Sequence, residues 1–227
     1  MTERDAFLAA IIESPDDDTP RLVFADWLEE HGEVERAEFI RLDIKLSHLR
    51  PGPDEHRKAA NIIARYQKRA PVRLTADTPA TMLARRAILL TAWSKDEDGE
   101  PTVGGDHTYE WFGDVVRRFG RGHVEISRGF VSAVTMFLPD MMPENAAIAF
   151  SQPIEAIRLP RLSLSLEIDP PGKDYGWQLY GLPDNDPGSP DLLHSYETRA
   201  ELVADIPGRL AEYAEAVSGW RGLEGRG

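Results

Sequence analysis

The stretch from Asp16 to Leu49, DDDTPRLVFADWLEEHGEVERAEFIRLDIKLSHL, constrains the fold more than any other part of this 227-residue chain. Thr19 followed by Pro20 predicts the start of a helix, because a threonine oxygen can cap the first turn and proline lacks only an N–H that has no partner there. Gly32 lies where helices commonly end in a left-handed residue. We therefore expect a helix from Pro20 to His31.

This helix has an apolar side and a charged side. Its apolar residues recur at helical spacing: Val23, Phe24, Trp27 and Leu28. Arg21 is expected on the exposed side, together with two glutamates, Glu29 and Glu30. Because Trp27 lies in the middle of the apolar stripe, we expect it to anchor the core of the N-terminal segment.

A second helix is expected after the turn, from about Val34 to Leu49. Its apolar residues form two arcs, namely Phe39, Leu42, Leu46 and Leu49 on one, and Ala37, Ile40 and Ile44 on the other. A helix with two apolar arcs contacts two neighbours. Upstream, Thr2 and Asp5 form a variant capping box and predict a further helix that stops at Ser14.

Asp26 is an acidic residue beside Trp27 on an otherwise apolar stretch. A half-buried carboxylate needs a partner, and Arg36 or Arg41 in the second helix could supply one. We interpret Asp26 as a clamp between the helices, because a catalytic acid would have a histidine or second carboxylate nearby. The acidic run that ends at Asp18 is interpreted as favourable charge at a helix N-terminus rather than as a metal site.

These residues resemble a short bacterial repeat-companion domain, whose hallmark reads D-D-x-P-R-L-V-(F/Y)-A-D-W-L-E-E-x-G-(D/E)-x-x-R-A-E-F-I-R-L. The resemblance covers Met1 to about Leu49. The motif positions in this sequence are Asp18, Pro20, Arg21, Asp26, Trp27, Gly32, Arg36 and Phe39. The family recurs at the N-termini of multiplied paralogues, often ahead of leucine-rich-repeat-like segments. No activity is attached to it, so the resemblance implies no particular chemistry.

Charge is unevenly distributed along the chain. Residues 1–50 hold 13 acidic and 6 basic residues, a net charge of −7, whereas residues 51–95 hold 3 acidic and 9 basic ones, a net charge of +6. The basic segment predicts two helices, from Asp54 to Arg69 and from Thr78 to Trp93. Arg85 and Arg86 are expected to be exposed on the second helix. Candidate nucleic-acid contacts on the first helix are Arg57, Lys58, Arg65, Lys68 and Arg69.

Nucleic-acid binding through residues 54–93 remains an alternative, but two observations disfavour it. The whole chain carries −13, which repels a polyanion, and Tyr66 is the one aromatic residue placed to stack on a base. We interpret the basic segment as neutralising the acidic residues 1–50 within the same fold.

The C-terminal half predicts strands. Apolar 1, 4, 6 patterns begin at Val131, Ile154 and Trp177, 23 residues apart, which lies within the leucine-rich-repeat range. A helix is expected between the first two, from Pro143 to Phe150. However, an asparagine stands at the repeat's ladder position in the third unit alone, at Asn185.

The other C-terminal segments favour a small sheet over a solenoid. Residues Arg161 to Asp169 alternate as a half-buried strand does, and Asp191 to Tyr196 predicts a short edge strand. A last helix, from about Arg199 to Ser218, carries an apolar face that should close over the sheet. Residues 94–108 predict a loop or linker.

The chain carries no recognisable catalytic or ligand-binding motif. It has no cysteine, and its six histidines are scattered without the spacing of metal ligands. It also lacks phosphate-binding and nucleophile motifs. We therefore predict no catalytic residue, no metal and no cofactor. No apolar run of about 18 residues predicts a membrane span, and the N-terminus does not resemble a signal peptide, so a cytoplasmic location is expected.

The sequence thus predicts an α+β protein with three parts. These are a helical repeat-companion domain over residues 1–50, a basic helical pair packed on it over 51–95, and an α+β domain over 109–227. The last contains a small sheet with degenerate leucine-rich-repeat-like spacing, closed by the C-terminal helix. The predicted function is a non-catalytic protein-interaction or adaptor module whose acidic surface favours a basic partner. An enzyme without a recognisable motif is a second alternative.

Overall fold

The computed structural model describes residues 2–68, 70, 74–90, 93–95, 101–103, 107–120, 123–137, 140–160, 162–171, 176–183 and 190–224. Over these residues the chain is an α+β protein, as predicted. The helices are α1 (Glu3–Glu13), α2 (Asp18–Glu30), α3 (Val34–Leu49), α4 (Pro53–Gln67), α5 (Pro79–Leu90), α6 (His107–Phe119), α7 (Pro143–Ala149) and α8 (Arg199–Glu224). The strands are β1 (Trp93–Lys95), β2 (Pro101–Val103), β3 (Val124–Ser127), β4 (Phe130–Thr135), β5 (Ala156–Leu159), β6 (Leu164–Asp169), β7 (Trp177–Pro183) and β8 (Asp191–Tyr196).

Residue contacts divide the chain into two compact units, each assembled from separated stretches. The helical unit comprises Asp18–Gly113 and Ser127–Phe130. The sheet unit comprises Met1–Asp17, Asp114–Ile126 and Val131–Gly227. The domain boundaries derived from the sequence stay a prediction.

In the helical unit, α3 is the central element. It packs against α2 and α5, and α4 packs against α5. Its bounds match the prediction, and both of its apolar arcs are buried except for Leu49, which is 52% exposed. Leu42 and Leu46 form a cluster with Met82 of α5. The two-arc pattern was therefore a correct sign of a helix with two neighbours.

The buried face of α2 differs from the predicted one. The helix begins at Asp18, so Thr19 is not its cap and Pro20 is the third helical residue. Its buried residues are Arg21, Phe24, Ala25 and Leu28. These follow the i, i+3, i+4, i+7 spacing of a single helix face, which leaves Val23 46% exposed and buries Arg21 to 1%.

Several other predicted elements need their bounds adjusted. Thr78 caps α5 as expected, because its Oγ1 accepts the Thr81 N–H at 3.2 Å, but this helix ends at Leu90. The loop predicted for residues 94–108 was wrong in part, since β1 and β2 pair antiparallel there and α6 begins at His107. Strands of three residues are too short to show periodicity in a sequence.

The sheet unit contains a six-stranded mixed sheet in the order β3-β4-β5-β6-β7-β8. Strands β4 and β5 are parallel and are joined through the predicted helix α7, whereas β5 to β8 are antiparallel neighbours in turn. The 23-residue spacing therefore spans one parallel pair and does not continue as a repeat. This confirms the small sheet that was favoured over a solenoid. Asn185 lies outside the described residues.

The N- and C-terminal helices both belong to the sheet unit. Thr2 and Asp5 form the predicted capping box of α1. Helix α8 contacts α7, β7 and β8, and so closes the sheet as predicted, although it extends beyond Ser218. Its apolar face is fully buried at three successive turns: Leu202, Ile206 and Leu210.

Arg199, the first residue of α8, is a buried cation. Its guanidinium lies 5.5 Å from the ring of Phe150 and 6.0 Å from that of Trp177, and it donates to the carbonyl of Gln152 at 3.3 Å. Burial lowers the pKa of Arg199 to about 10, against the opposing charge of Glu13. The aromatic faces and the carbonyl thus compensate for lost hydration at the start of the helix.

The turn between β3 and β4 belongs to the helical unit. Arg128 and Gly129 have φ angles of 50° and 83°, a pair of positive values that is typical of a two-residue type I′ hairpin. A Cβ on Gly129 would lie 2.7 Å from Cγ1 and 2.9 Å from Cα of Ile40 in α3. Position 129 therefore needs glycine both for its backbone conformation and for its close approach to α3.

We predict that Gly129→Ala destabilises the protein more than Gly32→Ala does. Both positions have positive φ, but a Cβ on Gly32 would meet nothing within 4 Å, so Gly32→Ala carries the conformational cost alone, about 1 kcal/mol. Gly129→Ala adds overlap with α3, which should cost about 2 kcal/mol more. Denaturant midpoints of the two variants measure the difference; equal midpoints would show that the turn does not pack against Ile40.

Candidate functional site

Several motif residues of the N-terminal stretch are buried or form contacts that stabilise the fold. Arg21, Arg36 and Phe39 are 1%, 6% and 0% exposed. Gly32 has φ of +85° after α2, as its predicted turn requires. Asp18 accepts a hydrogen bond from Nε2 of His48 at 2.8 Å. Buried arginines and glycine turns are structural elements, and the cleft described below is lined by other residues.

Arg36 lies at the centre of an aromatic cluster in the helical unit. Its guanidinium carbon is 4.7 to 5.6 Å from the centroids of four rings: Phe39, Trp111, Phe112 and Phe130. Its Nη2 donates to the carbonyl of Gly129 at 2.7 Å. The ring faces attract the buried guanidinium and the carbonyl accepts a hydrogen bond from it, so these contacts offset part of the cost of burying Arg36.

Asp43 also forms a hydrogen bond with Gly129, through the backbone N–H rather than the carbonyl. Its Oδ2 accepts the Gly129 N–H at 2.8 Å, and its Oδ1 accepts a hydrogen bond from Nε of Arg86. Arg36 and Asp43 are seven residues apart on α3, which places them two turns apart on one face. We call Arg36, Asp43 and Gly129 the Gly129 clamp. Asp43 was missed in the sequence, although its i+7 spacing from Arg36 could have indicated a shared contact.

Asp26 does form an ion pair between helices, and the partner is Arg41. Arg41 lies 2.6 Å from a carboxylate oxygen of Asp26 and 2.6 Å from one of Glu29. The expectation of a half-buried Asp26 was wrong, because its side chain is 68% exposed on the outer face of α2. The pair therefore lies in solvent, where its contribution is small.

Trp27 lies at the margin of the buried face. Its ring stacks on Phe24 at 5.9 Å and on His31 at 4.1 Å, and Nδ1 of His31 lies 2.7 Å from the Trp27 carbonyl oxygen. The residue is half-buried, and its role as an anchor of the core stays a prediction. Phe24 and Leu28 are the large apolar residues of α2 that are fully buried.

The basic residues of the central segment fall into two groups. The described nucleic-acid candidates on and after α4 are exposed: Arg57, Lys58, Arg65 and Lys68. Arg69 lies outside the described residues. The expected exposure of Arg85 and Arg86 was wrong. Arg85 pairs with Glu38 and Arg86 with Asp43, so two cations of α5 neutralise two acids of α3.

We predict unequal effects from two isosteric changes at aspartates that each pair with an arginine. Asp43→Asn should cost about 2 to 3 kcal/mol, because it removes the charge of a carboxylate that is 5% exposed and held by two hydrogen bonds. Asp26→Asn should cost at most about 1 kcal/mol, because that pair is in solvent. Urea unfolding of both variants measures this, and equal small losses would contradict the clamp.

The sheet unit contains an open cleft that the sequence did not reveal. It has a volume of about 660 Å³ and is formed by the end of β8 and the first three turns of α8. Its charged and aromatic lining residues are His194, Tyr196, Glu197, Glu201, Asp205 and Arg209. Glu201, Asp205 and Arg209 recur every four residues on α8. That spacing was visible, but it is also typical of a solvated helix face.

The polar groups at the base of the cleft are paired. The Tyr196 hydroxyl and the Arg209 guanidinium both donate to Oδ2 of Asp205. Burial and the bond to Asp205 raise the pKa of Tyr196 to about 12. Burial opposes ionisation of Asp205, but the hydrogen bonds from Tyr196 and Arg209 outweigh it and lower its pKa. At neutral pH the tyrosine is therefore protonated and the aspartate ionised, which suits binding better than proton transfer.

No group of three or more histidine, cysteine, aspartate or glutamate side chains among the described residues is placed to hold a metal ion. None of the described helices is long and apolar enough to cross a membrane.

Comparison with models of protein families, with curated proteins and with solved structures found no match to this chain.

Proposed function

We propose that this chain is a non-catalytic protein-interaction or adaptor module with a basic protein partner. The observation that carries the proposal is the Gly129 clamp. Both arginines of the N-terminal motif that are buried, Arg21 and Arg36, lie inside the fold, and Arg36 forms internal contacts there. A motif whose polar residues maintain the fold supports a scaffold, whose binding surface lies elsewhere on the chain.

The distribution of charge supports a basic partner. The chain carries −13 overall, and the cations of α5 are already paired with acids of α3. Potentials of this sign accelerate encounter with basic surfaces and repel acidic ones. Membership of the repeat-companion family and a cytoplasmic location belong to this proposal as well.

Nucleic-acid binding through α4 remains the alternative, because Arg57 and Lys58 are exposed there. Arg57 is already 2.8 Å from Asp54, and the paired cations Arg85 and Arg86 no longer contribute to such a surface. An enzyme is disfavoured because the cleft residues with a shifted pKa, Tyr196, Asp205 and Arg209, are held in an internal network.

Affinity capture with the full chain as bait, from a lysate of the source organism, tests the proposal. The proposal predicts that a basic protein is retained after nuclease treatment and is released by salt. An unrelated acidic protein of matched net charge is the control bait. Retention that nuclease abolishes, and that Arg57→Glu/Lys58→Glu also abolishes, would establish the nucleic-acid alternative. Absence of any retained protein specific to this bait would contradict the proposed function.

A further inference from the structure

Strand β8 lies at the edge of the sheet and is paired with β7 alone among the described strands. Four of its six residues are exposed, and Leu192 is 53% exposed. An edge strand presents main-chain N–H and C=O groups to which an extended segment of another protein can pair. The edge of β8 therefore has the form of a peptide-docking site.

The cleft lies at the C-terminal end of this edge. Tyr196 ends β8, and its ring and Ala204 of α8 provide apolar walls. Side chains of an added strand would alternate between the two faces of the sheet, so one of them would point toward the cleft. A volume of about 660 Å³ is more than sufficient for one long side chain.

The charges that line the cleft favour a cationic side chain. Three carboxylates face one guanidinium, and the charge of Arg209 is already matched by Asp205. Glu201 accepts hydrogen bonds from the N–H groups of Glu197 and Thr198 through Oε2, and these two donors are neutral backbone groups. Glu197 is exposed at the rim. The stem of a lysine or arginine would pack on the apolar walls while its head group reached these carboxylates.

We propose that the β8 edge and this cleft bind an extended, lysine- or arginine-bearing segment of a partner protein. The segment adds main-chain hydrogen bonds to β8 and places one basic side chain in the cleft. This inference rests on the proposed function, since it names the surface that such a partner would use. A second copy of this chain fits less well, because it would bring another acidic protein to the same carboxylates.

The test uses fluorescence anisotropy with the purified full chain and a labelled eight-residue peptide that alternates threonine and arginine. The expected result is saturable binding with a dissociation constant of roughly 1 to 100 μM at low salt, typical of a small transient contact. Two peptides serve as controls: one alternates threonine and glutamate, and the other keeps the arginines but replaces the threonines with proline, which cannot pair as a strand. Neither should bind comparably.

Two charge reversals on the protein locate the site. Glu197→Lys, at the cleft, should weaken binding about tenfold, whereas Glu212→Lys, an exposed α8 position that does not line the cleft, should change it less than about twofold. Circular dichroism checks that both variants stay folded, as their exposure predicts. Equal weakening by both, or equal binding of the proline peptide, would overturn the proposal in favour of non-specific charge attraction.

Failure of the site can be separated from failure of the proposed function. If no peptide binds, or if Glu197→Lys captures the same proteins as the parent bait, the edge and cleft are not the docking surface, while the adaptor function stands. If the chain sediments as a dimer that Leu192→Asp dissociates, the edge belongs to a second copy and the proposal is overturned.

Discussion

The helical unit depends on how α3 holds one peptide segment at Gly129. Arg36 donates a hydrogen bond to the Gly129 carbonyl and Asp43 accepts one from the Gly129 N–H. Ile40, which lies between them on α3, leaves no room for a side chain at position 129. A buried turn would otherwise leave polar backbone groups without partners, at a cost of a few kcal/mol. The same two side chains have further contacts: the Arg36 guanidinium lies over aromatic rings, and Asp43 accepts a hydrogen bond from Arg86. These contacts offset part of the cost of burying the two charges.

This arrangement explains why an N-terminal motif rich in charge carries no evident chemistry. Arg36 belongs to this motif, and Asp43 follows it on the same helix. In the fold they fix the position of a turn that comes from residues far along the chain. The proposed partner would use the β8 edge and its cleft, which combine an open strand edge with three carboxylates.

The sequence predicted what local periodicity determines. The bounds of α3, the capping box at Thr2, and β8 were all read correctly, because helix arcs, caps and alternating strands are encoded within a few residues. Prediction from the sequence failed where contacts between distant residues determine burial and pairing. The burial of Arg21 depends on which arc of α2 meets the core, and the pairing of Arg86 with Asp43 joins residues 43 positions apart. The cleft was missed because its two walls, β8 and α8, form a concave surface only after folding.

Amide hydrogen exchange at Gly129, followed by NMR, tests the central claim most directly. If Asp43 accepts this N–H in a buried turn, its exchange should be slowed about as strongly as that of core amides in α3, such as Ile40. Asp43→Ala, which removes the acceptor, should abolish the difference from an ordinary turn. Exchange of the Gly129 amide at the rate of an exposed two-residue hairpin turn would contradict the clamp. It would also contradict the inference that Arg36 and Asp43 serve to position this turn.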